Sequence, residues 1–177
     1  MILLIHDLGA EEAKRLESTY ATETVVVSDD GTIRHCVGCF GCWTKDPGSC
    51  VIKDKYSDMG ALLGACTQLH IVSRCVYGGF SPFVKNVLDR SISYVHPDLR
   101  MREGQTHHRL RYDRPFRISV WFYGEGITEN ERETALRLLK ANSINMGCPL
   151  DGVRFVESTV NLNGEGVVSD QNCIAQW

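Results

Sequence analysis

Short apolar segments alternate with amphipathic segments along most of this chain, and that alternation limits the possible folds more than any other feature. Apolar, β-branched runs that indicate strands lie at residues 1–6, 24–28, 69–76, 116–123 and 153–157. Helical spacing of apolar residues lies between them, at about residues 9–20, 56–67, 82–96 and 128–146. Apolar strands that alternate with helices form a parallel sheet with helices on both faces. We therefore predict an α/β fold, a doubly wound domain with three layers.

Residues that typically begin or end helices stand at the expected places. Asp7 could cap the first helix, and Ser81 stands directly before a proline that can open another. The pair Thr128-x-x-Glu131 has the capping-box pattern, and Gly147 suits the C-terminus of the same helix. These signals agree with the helix boundaries predicted from apolar spacing.

Four cysteines lie within fifteen residues in a loop that we place at residues 35–54. They are Cys36, Cys39, Cys42 and Cys50, with the spacing Cys-x2-Cys-x2-Cys-x7-Cys. This spacing matches no helix or strand face, and crowded sulfur usually indicates redox chemistry or a metal. A 4Fe–4S cluster suits a compact triplet with a remote fourth ligand, whereas zinc more often uses separated pairs. A loop of reduced thiols that only packs or contacts another subunit is the third interpretation.

Length and charge exclude several classes of protein. A chain of 177 residues suits a single domain, in which we place a basic insertion at residues 96–114 and a short tail at residues 158–177. The net charge of -3 argues against a general nucleic-acid binder. The apolar opening, residues 1–5, is too short for a signal segment or a membrane span. We expect a cytoplasmic protein with reduced cysteines, and expect Cys66 and Cys75 to be small buried residues.

Three groups of residues together resemble a known family. They are the cysteine motif with Trp43, Pro47-Gly48 and Cys50-Val51-Ile52-Lys53-Asp54; the loop Val76-Tyr77-Gly78-Gly79-Phe80-Ser81; and Lys85-x3-Asp89-Arg90. The combination resembles NAD(P)H-dependent FMN reductases and iron–sulfur flavoproteins, which are flavodoxin-like. The resemblance reaches to about residue 157 and implies a five-stranded sheet in the order 2-1-3-4-5. It also implies FMN across the carboxyl ends of the strands.

The same resemblance implies a function and a set of cofactor-binding residues. A flavin-dependent oxidoreductase or electron-transfer flavoprotein would pass electrons from NAD(P)H to an acceptor that the sequence does not identify. The predicted flavin-binding residues are Val76, Tyr77, Gly78, Gly79 and Phe80 after the third strand, and Tyr123 and Gly124 after the next. Glycines let the backbone approach the ring, and aromatic side chains could stack on it. We predict no catalytic side chain, because a flavin carries the hydride chemistry itself.

The loop after the first strand departs from the family pattern. Family members hold the FMN phosphate there with hydroxyl groups, an arginine and helix N–H groups. This chain has neither hydroxyl nor arginine at residues 6–12, and instead has Asp7, Glu11 and Glu12. A phosphate would meet like charge, so we predict weak FMN binding in the usual pose. A flavodoxin-like binding or regulatory module that has lost FMN is therefore the alternative function.

Two further expectations concern the basic insertion and the assembly. The insertion could fold over the flavin site, could reach it from a second subunit, or could be a solvated arm. Its basic residues are Arg100, Arg102, His107, His108, Arg109, Arg111 and Arg114. The first helix is short and the tail has little apolar periodicity, so one sheet face would be poorly covered. That favours a homodimer or a tail lying across the face.

Overall fold

The computed structural model describes residues 1–102 and 104–162. In chain order the strands are β1 (Ile2–His6), β2 (Val25–Ser28), β3 (Gln68–Arg74), β4 (Val95–Arg102), β5 (Gln105–Leu110), β6 (Arg117–Tyr123) and β7 (Leu150–Val156). The α-helices are α1 (Ala10–Glu17), α2 (Gly41–Thr44), α3 (Met59–Ala65), α4 (Pro82–Arg90) and α5 (Glu129–Met146). No described helix is both long and apolar enough to cross a membrane.

Five strands form one parallel sheet in the order β2-β1-β3-β6-β7. Strands β4 and β5 form a separate two-stranded sheet. Without this hairpin, the strands of the main sheet have the predicted order 2-1-3-4-5. The flavodoxin-like α/β fold is confirmed. Because the strands are parallel, their carboxyl ends meet at one edge of the sheet.

The two faces of the sheet are covered by different helices. Leu3, Ile71 and Val120 face the main core, to which α3, α4 and α5 contribute buried residues. On the opposite face a smaller cluster contains Leu16 of α1. The same cluster contains Leu162. The start of the tail therefore lies on the sheet face that the sequence predicted to be poorly covered.

Helix ends follow the sequence signals with one exception. The Ser81 hydroxyl accepts from the Val84 N–H, the capping box at Thr128 and Glu131 is complete, and Gly147 ends α5 with φ 65. The predicted cap at Asp7 is wrong, because α1 begins after Gly9 without a side-chain cap. The Asp7 carboxylate instead accepts a hydrogen bond of 3.0 Å from the backbone N–H of Arg74.

The segment after α4 differs from the expectation. The helix ends at Arg90, a 3-10 turn covers Ile92–Tyr94, and Val95 already belongs to β4. The basic insertion is an antiparallel hairpin, with Arg100 opposite His107, and most residues of β4 are exposed. Its strands were missed because charged residues dilute the apolar alternation, whereas cross-strand pairing satisfies the backbone regardless of side chain.

Candidate functional site: a carboxyl-edge crevice and a cysteine-loop cleft

The cysteine loop is held to α4 by one buried arginine. Arg90 is 1% exposed, and its guanidinium donates to both carboxylate oxygens of Asp54, at 2.8 and 3.0 Å. It also donates to the carbonyls of Arg34 (2.9 Å) and Ile52 (3.0 Å). Residues just before and at the end of the loop are thus fixed to the same side chain, which gives the loop a defined position against the sheet.

The four cysteine sulfurs do not form a metal site in this conformation. Cys36 and Cys39 are exposed, whereas Cys42 and Cys50 are half-buried. Burial raises the pKa of the Cys42 thiol, and the neighbouring Cys50 sulfur raises it further. Within residues 1–102 and 104–162, no three His, Cys, Asp or Glu side chains are arranged to hold a metal ion. The geometry therefore gives no support to the predicted 4Fe–4S cluster or to zinc.

A cleft of about 710 Å³ lies between the cysteine loop, α4 and α5. The rings of Phe40 and Trp43 are stacked in it with centroids 5.5 Å apart, and the His108 ring lies 5.0 Å from Trp43. The Trp43 Nε1–H donates to the carbonyl of Val95 at 2.9 Å, which fixes the indole. We call this cavity the cysteine-loop cleft.

A second cavity, of about 510 Å³, lies at the carboxyl ends of β1, β3, β6 and β7. Its lining includes Leu8 and Gly9 after β1, Cys75 after β3, and Tyr123 and Gly124 at the end of β6. The chain turns from β2 back across β1 to β3, so this carboxyl-edge crevice includes the point where the strand order reverses. Open α/β sheets usually bind ligands at such a point.

The carboxyl-edge crevice is acidic. Four described lining residues are glutamates, namely Glu12, Glu125, Glu131 and Glu157, against one lining arginine, Arg74. The Glu12 carboxylate folds over the start of α1, since a Cβ placed at Gly9 would lie 2.9 Å from Glu12 Oε2. An FMN phosphate therefore does not fit at the N-terminus of α1, as the sequence indicated.

The predicted flavin loop after β3 is a tight turn whose backbone bonds are largely internal. Val76 and Gly79 exchange two backbone hydrogen bonds, of 3.0 and 2.9 Å. Tyr77 and Gly78 at its tip have φ values of 51 and 75. Burial raises the pKa of the Cys75 thiol, and the N–H of Gly78, which hydrogen-bonds to its sulfur, offsets part of that rise. Few amides of this turn remain for a flavin ring.

The side chains of that loop point to different places. Tyr77 is 90% exposed, and Gly78 packs against α5, where an added Cβ would lie 2.7 Å from the Glu131 carbonyl oxygen. Gly79 and Phe80 line the cysteine-loop cleft, where Phe80 also packs against Phe122 in the core at 5.3 Å. Of the predicted residues in this loop, Val76, Tyr77 and Gly78 are in the lining of neither cavity.

Tyr123 and Gly124, by contrast, both line the carboxyl-edge crevice. The Tyr123 hydroxyl donates to the carbonyl of Asp7 at 3.5 Å. Burial, and then the nearby Asp7 carboxylate, raise the pKa of Tyr123, so the phenol stays neutral at physiological pH. Sequence reasoning missed Cys75 as a lining residue; the signal for it was its position directly after a buried strand.

The basic hairpin lies away from the carboxyl-edge crevice. Arg102 donates to the carbonyl of Ile144 at 2.6 Å, near the C-terminal end of α5. Since α5 runs back against the strand direction, that end lies at the amino edge of the sheet. His107 lies beside Asn145 of the same helix, with 3.4 Å between Nδ1 and Oδ1. These contacts contradict the expectation that the insertion folds over the flavin site within one chain.

The sheet order and the helices on its two faces define a flavodoxin-like α/β protein, with a cavity at the carboxyl edge of its sheet. The structure is similar to the Trp repressor binding protein from Bacillus subtilis, at 12% identity over 89% of this chain and 87% of that chain, with a TM-score of 0.51. It is also similar to an FMN-dependent NADH-azoreductase from Bacillus anthracis in complex with FMN, at 11% identity over 95% and 89%, with a TM-score of 0.51. At such identities the likeness concerns the fold alone. No protein-family model and no curated protein sequence matches the chain.

Proposed function

We propose that the chain is a flavin-dependent oxidoreductase that takes electrons from NAD(P)H and passes them to an acceptor. The observation that carries the proposal is the crevice at the strand-order reversal, bounded by Tyr123 and Gly124. A fold neighbour with FMN and NADH in its name supports the choice of ligands. The bound flavin would supply the hydride and electron chemistry.

The residues of this chain would position the ring. Gly124 has no side chain and a φ of 151, so a flat ligand can lie against its backbone. The neutral Tyr123 phenol, held by the Asp7 carbonyl, would form a fixed wall. The Cys75 thiol, uncharged through burial, would add a polarizable neighbour on the β3 side.

The FMN phosphate cannot lie at the N-terminus of α1, where the flavin reductases that the sequence resembles hold it, and must point elsewhere. Glu12 covers the start of α1, and the Asp7 carboxylate is already bound to the Arg74 N–H. A phosphate that points out of the crevice toward solvent, or toward the basic hairpin of a second subunit, would avoid this like charge. A homodimer is therefore part of the proposal.

Flavin titration of the purified chain tests the proposal. We expect flavin fluorescence to be quenched on binding, at micromolar riboflavin or FMN, and expect NADH or NADPH to bleach the bound flavin under anaerobic conditions. Gly124→Ala should weaken binding, because its methyl group would enter the crevice. Gly104→Ala, also at positive φ but with open space around it, is the matched control. No binding of either flavin would overturn the proposal.

The acidic crevice favours one alternative, a flavodoxin-like binding module that has lost FMN. Four lining glutamates would repel any phosphate ligand and suit a neutral or cationic partner instead. Absence of flavin binding together with a fully folded chain, as judged by cooperative urea unfolding, would select this alternative.

A further inference from the structure

The path of the loop brings together the two chain segments that carry Cys42 and Cys50. A Cβ placed at Gly41 would lie only 2.3 Å from Cγ1 of Val51, so the chain around residue 41 is pressed against the chain around residue 51. The Gly48 N–H donates to the Cys42 carbonyl at 3.0 Å, which folds the intervening segment back. Cys42 and Cys50 flank this contact in sequence, and the Cys39 sulfur lies 3.5 Å from the same added Cβ. Among the other sulfurs, Cys50 acts most strongly on Cys42.

Both segments are fixed from outside the loop. The Cys50 N–H donates to the Ser57 carbonyl at 2.8 Å, and Arg90 holds the Ile52 carbonyl at 3.0 Å. On the other side, Trp43 directly follows Cys42 and bonds to the Val95 carbonyl. Cys36 and Cys39 lie on the exposed part of the loop. Both segments that carry the half-buried pair are therefore fixed by contacts with the rest of the fold.

The guanidinium of Arg90 lies beside Cys50. Burial lowers the pKa of Arg90, but the Asp54 carboxylate and then the Cys50 sulfur more than offset this, so the pKa is raised. The Nε of Arg90 is buried and has no hydrogen-bond partner among residues 1–102 and 104–162. Arg90 thus fixes the part of the loop that carries Cys50, through its bonds to Asp54 and to the Ile52 carbonyl.

We propose that Cys42 and Cys50 form a redox-active dithiol that reduces low-molecular-weight disulfides in the cysteine-loop cleft. The Cys50 sulfur attacks one sulfur of the disulfide, the S–S bond breaks, and the first small thiol leaves with a proton. The Cys42 sulfur then attacks Cys50 in the mixed disulfide, and the second small thiol leaves with the other proton. The chain loses two electrons and two protons and gains a Cys42–Cys50 bond.

The cleft has the space and lining for such a substrate. Its volume of about 710 Å³ exceeds the lower limit typical of small-molecule sites. All four loop cysteines line it, together with the aromatic pair Phe40 and Trp43. Asn142 and Asn145 of α5 supply amide groups on another part of the lining, where they could bind the polar groups of a disulfide.

Glutathione disulfide, added to the full-length chain and followed by intact mass and peptide mapping, tests the proposal. We expect a loss of two hydrogen atoms, one cross-linked Cys42–Cys50 peptide, lower Trp43 fluorescence, and reversal by dithiothreitol. Cys42→Ser should accumulate a mixed disulfide on Cys50, and Cys50→Ser should lose the internal bond. The double variant Cys36→Ser/Cys39→Ser is the control and should oxidise as the wild type does.

Other results would overturn the assignment. A cross-link between Cys36 and Cys39, or loss of the reaction in the Cys36→Ser/Cys39→Ser variant, would assign the chemistry to the exposed pair. No mass change at millimolar glutathione disulfide would remove the dithiol altogether. None of these results depends on flavin binding, so the experiment is independent of the proposed oxidoreductase.

Discussion

Arg90 and Asp54 form a two-point ion pair inside the protein, with the arginine side chain 0% exposed and the aspartate side chain 16% exposed. The guanidinium is the main reason why the pKa of Asp54 lies below its usual value. The pair joins the last turn of α4 to the end of the cysteine loop. Breaking it would leave a charge in the interior without a partner.

Loss of Arg90 should therefore strongly destabilise the fold. Removing one partner of a buried ion pair typically costs about 3–5 kcal/mol. We expect Arg90→Met to lower the free energy of unfolding by that order, measured by urea unfolding. Lys85→Ala is the control, because the Lys85–Asp89 pair is largely exposed, at 59% and 42%, and such pairs contribute roughly 0–1 kcal/mol. Equal losses in both variants would contradict the structural role of Arg90.

A second prediction concerns the turn after β3. We expect substitutions at its two tip residues to change the stability in opposite directions. Tyr77 has a positive φ, which costs a residue with a Cβ about 1–2 kcal/mol. We expect Tyr77→Gly to leave the protein as stable or more stable. Gly78→Ala should destabilise it, because the methyl group would meet the Glu131 carbonyl oxygen at 2.7 Å. Thermal unfolding distinguishes the two, and a stabilised Gly78→Ala variant would contradict this packing.

The sequence predicted where this turn lies, but not what its backbone amides bind. The apolar run at residues 69–76 predicted the strand before it, and Pro82 after Ser81 predicted the start of α4. The resemblance suggested that the turn's amides would face a flavin. The structure pairs Val76 with Gly79 instead, because a turn with positive φ at both central residues closes on itself through backbone hydrogen bonds. Such pairing depends on dihedral angles that the residue types do not determine.

The β4–β5 hairpin and the Arg90–Asp54 ion pair could not be predicted from the sequence either. The parallel sheet followed from the alternation of strands and helices, and its strand order from the family resemblance. The β4–β5 pairing did not, because its stability depends on contacts with distant elements such as that of Arg102 with Ile144. Asp54 and Arg90 both belong to the motifs that carry the resemblance, but they lie 36 positions apart in sequence. Only their contact in the structure shows why both are needed.

A third prediction concerns pH, through His70 on the α1 face of the sheet. His70 is 3% exposed, and its Nδ1 lies 2.9 Å from the Tyr20 hydroxyl. Burial lowers the pKa of His70 to about 4. The unfolded chain, with an ordinary histidine pKa of about 6.5, binds more protons between these two values. This contribution to stability is fully present above pH 6.5 and should be lost as the pH falls toward 4, by roughly 3 kcal/mol at most.

Urea unfolding between pH 4 and pH 7 measures this loss. His70→Asn keeps an acceptor for Tyr20 but does not titrate, so we expect a flatter pH dependence in that variant. His35→Asn is the control, because His35 is exposed and bonds only to the side chain of Asn86 among the contacts described. If His35→Asn flattened the curve as much as His70→Asn, the burial of His70 would not be the cause.

The last prediction separates the flavin ring from its phosphate. If like charge at Glu12 opposes the phosphate, Glu12→Gln should strengthen FMN binding and leave riboflavin binding unchanged. Removing one repulsion of about 1 kcal/mol, as between unit charges 4 Å apart in water, corresponds to roughly fivefold in Kd. Glu11→Gln is the matched control, since Glu11 stands on the same helix turn but is not part of the crevice lining. An equal gain for riboflavin would show that Glu12 acts on the ring site, and an unchanged FMN Kd would show that the charge of Glu12 is not what keeps the phosphate away from α1.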